Sequence, residues 1–448
     1  MKLAERSSFS VAQNPCICRF SPQVVRLFVA VVMLCIAGRA QTTTGAKDSQ
    51  EETIKVLLRR VDQLEARVKL LEEAGKTGSA PSPTPGSGQT TTPSESEAEQ
   101  AQTEHAEPER MDVSKTLLRI RGFGDINFHG DNQKGDTTSF TLGQLNLFVT
   151  SDISDKFKFL SEIVFEGGPD NIYGVTRGQT NTFSVDVERM IVQYSHNDYF
   201  NLTAGRFHTA IGYYNTAYHH STWLQTTTGR PFLFDFEDRG GILPIHTVGV
   251  SASGLIPSGG LGLHYVAEVG NGRESRSPFT EEPVQNVIDE QNHKAFNLAL
   301  FARPEAVRGL QAGFSVYRDV LAPDESASIS ETILAAHAVY IRPNFEWLNE
   351  AMVVRHAPLG QSHVFQTPGF YTQISKRFGA YRPYLRYQYV NGSDNEPIFP
   401  DVGRRQGPSA GIRFDASESV ALKLQYDYTT IRNQEAINAL ALQVGFTF

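Results

Sequence analysis

Cysteine is nearly absent from this sequence. Of its 448 residues, only Cys16, Cys18 and Cys35 are cysteines, and all three lie near the N-terminus. We expect this N-terminal segment to be removed during export. The mature chain could then form neither a disulfide nor a thiolate metal site.

The sequence also lacks an apolar run long enough to cross a bilayer as a helix. The run from Leu27 to Ala37 has the length of a signal-peptide apolar region and is too short for a membrane span. Hydrophobic residues make up 40% of the chain, too few for a helical membrane protein of this size. The same fraction is typical of soluble proteins and of membrane barrels, whose strands alternate apolar and polar residues.

Motifs of several other function classes are missing. The net charge of −8 offers no basic excess of the kind that nucleic-acid binding requires. Gly122 and Gly124 lack the third glycine and the following helix of a nucleotide-binding motif. His208, His219 and His220 show no metal-ligand spacing, and no spacing links a nucleophile to a histidine base. We therefore expect no nucleic acid, no cofactor, no metal and no enzymatic activity.

Residues 1–40 are predicted to be a signal peptide. Arg6, Arg19 and Arg26 supply the basic region before the apolar run. The segment 38–40 (GRA) places small residues at the two positions that signal peptidase recognises, so we expect cleavage after Ala40.

Residues 41–75 are predicted to form a short periplasmic coiled coil, and residues 76–115 a disordered linker. β-branched residues at one heptad position and leucine at the other favour two strands. A single amphipathic helix is the alternative, but the neighbouring sequence offers no core for it to pack on. The linker is rich in Pro, Ser, Thr and Glu and has too little apolar surface to offset the entropy of ordering. The predicted coiled-coil core consists of Ile54, Leu57, Val61, Leu64, Val68 and Leu71.

Residues 116–448 change to a period of two. Between residues 420 and 429, for example, apolar and aromatic residues alternate with Lys423, Gln425 and Asp427. About 16 such strands can be counted, joined alternately by short turns and longer loops. This pattern predicts an all-β fold, a transmembrane antiparallel β-barrel preceded by the short α-helical coiled coil. A β-sandwich is disfavoured because its core could not tolerate so many unpaired polar residues, and because aromatics such as Tyr381, Tyr389, Tyr426 and Tyr428 lie near the strand ends.

Three segments are similar to one known family. Residues 121–128 (RGFGDINF) open the barrel, residues 204–212 (AGRFHTAIG) follow the fifth strand, and residues 442–448 (LQVGFTF) end it. With the coiled coil before them, residues 116–448 resemble the phosphate-selective porin O and P family and related outer-membrane porins. The resemblance implies an outer-membrane channel, and it implies that Phe448 belongs to the signal read by the barrel-assembly machinery.

One departure from that family concerns specificity. Its phosphate selectivity depends on lysines and arginines that line the pore. The longest predicted loop here, 207–244, contains no lysine. The resemblance therefore does not carry phosphate specificity to this chain.

We expect the loop 207–244 to fold into the barrel and narrow its channel. Its acidic residues Asp235, Glu237 and Asp238 are predicted to face basic residues of the wall, which would create a transverse field across the opening. The alternative is that each charge is solvated or paired locally. Segment 231–236 is expected to pack the loop against the wall rather than to guide a ligand. The predicted basic wall residues are Arg119, Arg121, Arg206, Arg382, Arg386, Arg413 and Lys423.

These features predict passive diffusion of ions and small hydrophilic solutes across the outer membrane, with the N-terminal segment in the periplasm. The expected partners are outer-membrane lipid, the assembly machinery and copies of the chain, with a trimer favoured. The sequence does not decide between a preference for cations and a preference for anions, because the barrel holds more acidic than basic residues while its predicted wall is rich in arginine. The alternative function is a structural tether that uses the coiled coil and the linker.

Overall fold

The computed structural model describes residues 118–136, 138–167, 183–218, 222–235, 241–273, 275, 289, 291–323, 327–398, 400 and 402–448. The predicted signal peptide, coiled coil and linker all lie outside the described residues, so they stay predictions. Among the described residues, no helix combines the length and the apolar character that a membrane crossing requires.

Within the described residues, sixteen antiparallel strands close into one barrel. Each strand pairs with its neighbours along the chain, and β1 pairs with β16 to close the sheet. The predicted fold class, a transmembrane antiparallel barrel of about 16 strands, is confirmed. The strands are β1 Leu118–Asp131, β2 Ser139–Asp152, β3 Phe157–Gly167, β4 Phe183–Asn197, β5 Phe200–His208, β6 His246–Ile256, β7 Leu263–Asn271, β8 Lys294–Ala302, β9 Leu310–Leu321, β10 Ile329–Arg342, β11 Phe345–Pro358, β12 Phe365–Lys376, β13 Tyr381–Asn391, β14 Arg404–Asp415, β15 Val420–Ile431 and β16 Ile437–Thr447.

Alternation along the strands sorts polar residues inward and apolar residues outward. In β15, Leu422, Leu424 and Tyr426 are exposed on the outer face, while Lys423 and Gln425 between them are buried inside. Because successive side chains of a strand point to opposite faces, this pattern gives the barrel an apolar outer surface and a polar interior.

The links between strands differ in length at the two rims. Links after even-numbered strands are short and lie at one end of the barrel, which we call the short-turn rim: 153–156, 198–199, 257–262, 303–309, 343–344, 377–380 and 416–419. Links after odd-numbered strands lie at the opposite end, the long-loop rim, and include the longest ones: 132–138, 168–182, 209–245, 272–293, 322–328, 359–364, 392–403 and 432–436.

Two glycines accommodate aromatic rings where the barrel closes. A Cβ atom on Gly122 would lie 2.2 Å from the ring of Phe448, and one on Gly124 would lie 2.6 Å from the ring of Phe446. The Gly122 amide donates to the Phe448 carbonyl at 3.0 Å, and the Phe448 amide donates to the Gly122 carbonyl at 3.1 Å. The last residue of the chain is therefore part of the seam between β1 and β16.

Candidate functional site: the loop inside the barrel

The link between β5 and β6, residues 209–245, is the longest link of the barrel, and we call it the inward loop. Its described parts, 209–218, 222–235 and 241–245, include a four-residue helix, α1 Tyr214–Ala217, and a 3-10 turn, Phe232–Phe234. Nearly all of these residues are shielded from solvent. Their hydrogen-bond partners include inward-facing side chains of β1, β11, β13, β14 and β15, described below.

Apolar contacts pack the loop against one side of the wall. Leu233 and Phe234 are fully buried in a cluster that includes Leu348 on β11 and Tyr371 on β12. The ring of Phe234 stacks on that of Tyr214 at a centroid distance of 5.2 Å. Gly369 leaves room for this contact, since a Cβ atom there would lie 2.3 Å from Leu233. The described part of segment 231–236 thus packs the loop on the wall, as expected from its sequence.

Glu350 on β11 binds the start of α1. Its carboxylate accepts hydrogen bonds from the Tyr213 amide at 2.6 Å, the Tyr214 amide at 2.9 Å and the Tyr371 hydroxyl at 2.7 Å. Gly212 approaches the same carboxylate with a φ of +70°, and a Cβ atom there would lie 2.2 Å from it. A carboxylate suits this position because the amides at a helix start have no partner within the helix.

Glu346 also lies on β11, four residues before Glu350 and on the same inward face, and it binds the loop at a second point. Its carboxylate accepts from the Tyr218 hydroxyl at 3.3 Å, the Thr226 hydroxyl at 3.3 Å and the Gln373 amide at 2.9 Å. Burial first, and then the Glu346 charge, raise the pKa of Tyr218 above its ordinary value. The phenol therefore stays protonated and able to donate.

Three of the predicted basic wall residues bind carbonyl groups of the loop. Arg386 donates to the Gly229 carbonyl at 2.8 Å. Arg413 donates to the Trp223 and Gln225 carbonyls at 2.6 and 3.0 Å. Lys423 donates to the Thr227 carbonyl at 3.0 Å and to Gln443 at 2.8 Å. All three side chains are buried, with exposed fractions of 1%, 8% and 2%, respectively.

The other four predicted basic residues lie apart from the described loop. Arg382 is partly buried, donates to the Pro343 carbonyl at 3.1 Å and lies 4.0 Å from Glu346. Arg206 donates to the Glu188 carbonyl at 3.1 Å and lies 3.8 Å from the Glu188 carboxylate.

Arg119 and Arg121 lie at the start of β1, near the short-turn rim. Arg119 is exposed and lies 3.6 Å from Asp152, and Arg121 is exposed beside it. Arg119 is therefore paired with a strand residue and not with an acidic residue of the described loop.

Of the predicted acidic residues, Asp235 is described, whereas Glu237 and Asp238 lie outside the described residues. Asp235 lies 3.5 Å from Arg405 on β14, whose guanidinium also lies 5.5 Å from the ring of Phe232. Arg405 was not among the predicted residues. Its position beside Asp235 depends on the path of the loop, which the strand period does not encode.

Sequence reasoning also missed the wall carboxylates and amides that bind the loop. Besides Glu346 and Glu350, Asp125 accepts from the Thr222 hydroxyl at 3.3 Å, Gln388 accepts from the Phe232 amide at 3.1 Å, and Gln425 accepts from the Thr228 amide at 3.2 Å. The available signal was their position on the polar side of alternating strands, which the prediction used only for basic residues.

The interior also contains open space near the short-turn rim. A cavity of about 600 Å³ lies beside Tyr213 of the loop, and residues of the 303–309 turn line it, including Arg303, Glu305 and Arg308. Arg303 donates to Gln311 at 2.8 Å. Charged and polar groups therefore border this space.

Of the histidines named above, His208 is described, and its ring centroid lies 5.5 Å from that of His246 on the neighbouring strand. His208 lies 3.7 Å from Glu162, and His246 lies 2.6 Å from Glu188, while His219 and His220 lie outside the described residues. Among the residues that the structure describes, no group of three or more His, Cys, Asp or Glu side chains is arranged to hold a metal ion.

No protein-family model and no curated protein matches the sequence. Solved outer-membrane porins share the fold. The anion-selective porin from Comamonas acidovorans is 12% identical, and the alignment covers 75% of this chain and 100% of that chain with a TM-score of 0.51. OmpF of Salmonella typhi in complex with daunomycin is 11% identical over 74% of this chain and 97% of that chain, with a TM-score of 0.50. The outer membrane channel DcaP of Acinetobacter baumannii is 12% identical over 75% and 98%, with a TM-score of 0.48. The likeness to the first two structures shows a common barrel fold.

Proposed function

We propose that this chain is an outer-membrane channel for passive diffusion of ions and small hydrophilic solutes, narrowed by the inward loop. The observation that carries the proposal is the loop itself, because its described parts lie among inward-facing side chains of a closed 16-strand barrel. Barrels of this size leave an aqueous channel. A segment held inside such a channel sets its narrowest width.

The buried wall groups that bind the loop would have a different role from the charged groups that water reaches. Glu346, Glu350, Arg386, Arg413 and Lys423 are buried under the loop and would hold it in place. Because a buried charge that is hydrogen-bonded to protein does not meet passing ions, these residues would act on width more than on selectivity. The structure thus favours local pairing for these charges.

Selectivity would depend on charges that water reaches. We propose the acidic group of Asp235, Glu237 and Asp238 on one side of the opening, as predicted from the sequence, with Arg405 as the cation beside it and Arg382 as a cation nearer the short-turn rim. Charged groups around a narrow opening bias ion passage and orient dipolar solutes. Arg303 and Arg308 would extend this field toward the short-turn rim.

The remaining parts of the proposal concern the chain outside the barrel interior. We propose a signal peptide over 1–40, a periplasmic coiled coil over 41–75 and a linker over 76–115, with copies of the chain forming a trimer. The barrel-assembly machinery would read the strand that ends at Phe448. Membership of the phosphate-selective porin family also stays a proposal, supported by the three sequence segments, and phosphate specificity is not part of it.

Single-channel recording in a planar bilayer tests the proposal. The refolded chain should give stable, ohmic conductance steps, and the reversal potential under a salt gradient should give the sign of the selectivity. A variant that lacks residues 41–110 should conduct equally well. A folded barrel that passes no current would contradict the channel, and it would favour a tether, whose function should depend on residues 41–110.

A further inference from the structure

The outer face of β9 to β12 changes from apolar to polar between two adjacent rows of residues. The rows run across the four strands, because the residues in each are direct partners in the sheet register. The next outward-facing position toward the long-loop rim lies two residues along each strand. The apolar row consists of Val316, Leu334, Val353 and Pro368, and the polar row consists of Arg318, Thr332, Arg355 and Gln366. The polar row therefore marks where the apolar band of this face ends.

The two charges in the polar row are both positive. Arg318 and Arg355 are exposed, and within the described part of the chain neither forms an ion pair. The inward-facing row next to them behaves differently. Glu331 lies 2.8 Å from Arg273 and His356 lies 3.7 Å from Glu331. The charges of this inward row are thus neutralised by the protein, whereas the two outward arginines leave a place for an external anion.

The spacing of the two arginines suits a phosphorylated headgroup. They lie on strands β9 and β11, with Thr332 of β10 between them as their direct register partner. Adjacent strands are about 4.8 Å apart, so the two arginines are separated by about 10 Å along the row. Guanidinium groups bind phosphate oxygens through paired hydrogen bonds, and the Thr332 hydroxyl adds a donor between them.

The apolar rows below the arginines suit the tails of the same molecule. Phe314, Ala336, Ala351 and Phe370 form a further outward row in register, with Phe314 49% and Phe370 40% exposed. An anion that lay free in water would gain nothing from these surfaces. An amphiphile with a phosphorylated head would contact both levels at once.

We propose that Arg318, Thr332 and Arg355 form a binding site on the outside of the barrel for the phosphate groups of an outer-leaflet lipid. The lipid tails would lie along the apolar rows of β9 to β12. This inference rests on the proposed function, because in an outer-membrane barrel the longer loops lie at the extracellular side and the long-loop rim would then face the outer leaflet.

Lipid binding to the refolded full chain in a non-ionic detergent tests the site. The probe is lipid A with two phosphates, and native mass spectrometry gives the bound fraction. Arg318→Gln and Arg355→Gln should each weaken binding about tenfold, as expected for the loss of one charge-assisted contact. The double variant should weaken it further, and Arg355→Lys should keep part of the affinity. Lipid A without phosphates should bind weakly to all variants.

The matched control is Arg342→Gln. Arg342 also lies on the outside of the barrel, on β10, but near the short-turn rim, and it donates to the Arg308 carbonyl at 3.2 Å. This variant should bind the phosphorylated lipid as the wild type does. An equal loss in Arg342→Gln would show binding to any outward cation and would overturn the site. Full affinity in the double variant would do the same.

Two further measurements distinguish a lipid site from a contact between copies of the chain and from a site for free anions. A change in oligomer size in the double variant, with lipid affinity unchanged, would assign the row to a contact between copies of the chain. Displacement of the lipid by millimolar inorganic phosphate would overturn a lipid site in favour of a free-anion site. Measuring the conductance of the same samples tests the channel independently of the lipid site. Lipid binding that depends on the arginines, in samples that pass no current, would refute the channel alone. Current in samples whose lipid binding does not depend on the arginines would refute the lipid site alone.

Discussion

Replacing Glu350 should release the inward loop while leaving the barrel closed. The carboxylate is buried and accepts three hydrogen bonds, two from loop amides and one from Tyr371. A glutamine has one acceptor oxygen for these three donors and brings an NH₂ group among them. An unsatisfied buried donor costs about 1–3 kcal/mol, so we expect Glu350→Gln to destabilise the loop by about 2 kcal/mol and Glu350→Ala by about 4 kcal/mol.

Amide hydrogen exchange at Tyr213 and Tyr214 measures this release directly. A loss of about 2 kcal/mol corresponds to a roughly thirtyfold faster exchange in Glu350→Gln. The open-channel current noise should rise in parallel, because a mobile loop would vary the width of the channel.

The matched control is Asn349→Ala, on the same strand. Asn349 faces outward and bonds to the Ala338 carbonyl and to Thr372, so its loss should leave loop exchange unchanged. Unchanged exchange and unchanged noise in Glu350→Gln would refute the view that Glu350 holds the loop.

Two further predictions concern the seam and the loop. Gly122→Val should lower the yield of folded barrel, measured as the heat-modifiable band in electrophoresis, because its Cβ would lie 2.2 Å from the Phe448 ring. Gly260→Val, where the nearest atom to a Cβ lies 3.6 Å away, should lower the yield much less. Burial raises the pKa of Tyr214 from its ordinary value of 10.0 to about 12. As the pH rises, the Tyr214 hydroxyl therefore loses its proton at a lower pH in the unfolded loop than in the folded loop. The stability of the folded loop should then fall by up to about 1.4 kcal/mol per pH unit between pH 10 and 12. Tyr214→Phe should remove that part of the pH dependence in hydrogen exchange, and an identical pH profile in the variant would contradict the assignment.

The barrel could be predicted from the sequence because its signal is local. Each strand repeats with a period of two, and its outward residues within the membrane's apolar layer must be apolar, so the strand count and the two kinds of link follow from patterns within about a dozen residues. Tyr426 and Lys423 were placed on the correct faces for this reason.

The contacts of the inward loop could not be predicted, since they join residues far apart in the chain. Glu350 and Tyr213 are 137 residues apart, and Lys423 and Thr227 are 196 apart. The period of a strand shows that a residue faces inward but not which part of the loop it meets. A sequence pattern also does not show which backbone carbonyls a side chain will meet: Arg386 and Arg413 bind main-chain oxygens of the loop, and Arg413 also donates to Asp415 at 2.7 Å.

Irregularities in the strands set a second limit. Register shifts occur between Gly124 and Ile126 on β1 and between Glu162 and Ile163 on β3. A bulge changes which face the following residues occupy. Beside the β3 irregularity, on β4, Glu188 is buried and lies 2.6 Å from His246, a pair that strict alternation does not predict.

Chemical blocking of a cysteine at position 235 tests most directly whether the loop lies in a conducting path. The chain from residue 41 onward contains no cysteine, so Asp235→Cys in that chain carries a single thiol. Addition of a bulky charged methanethiosulfonate reagent to an open channel should produce an irreversible stepwise fall in conductance. Glu418→Cys, exposed in the short turn 416–419, should be labelled with little change in current. Full labelling of position 235 with no fall in conductance would contradict the account.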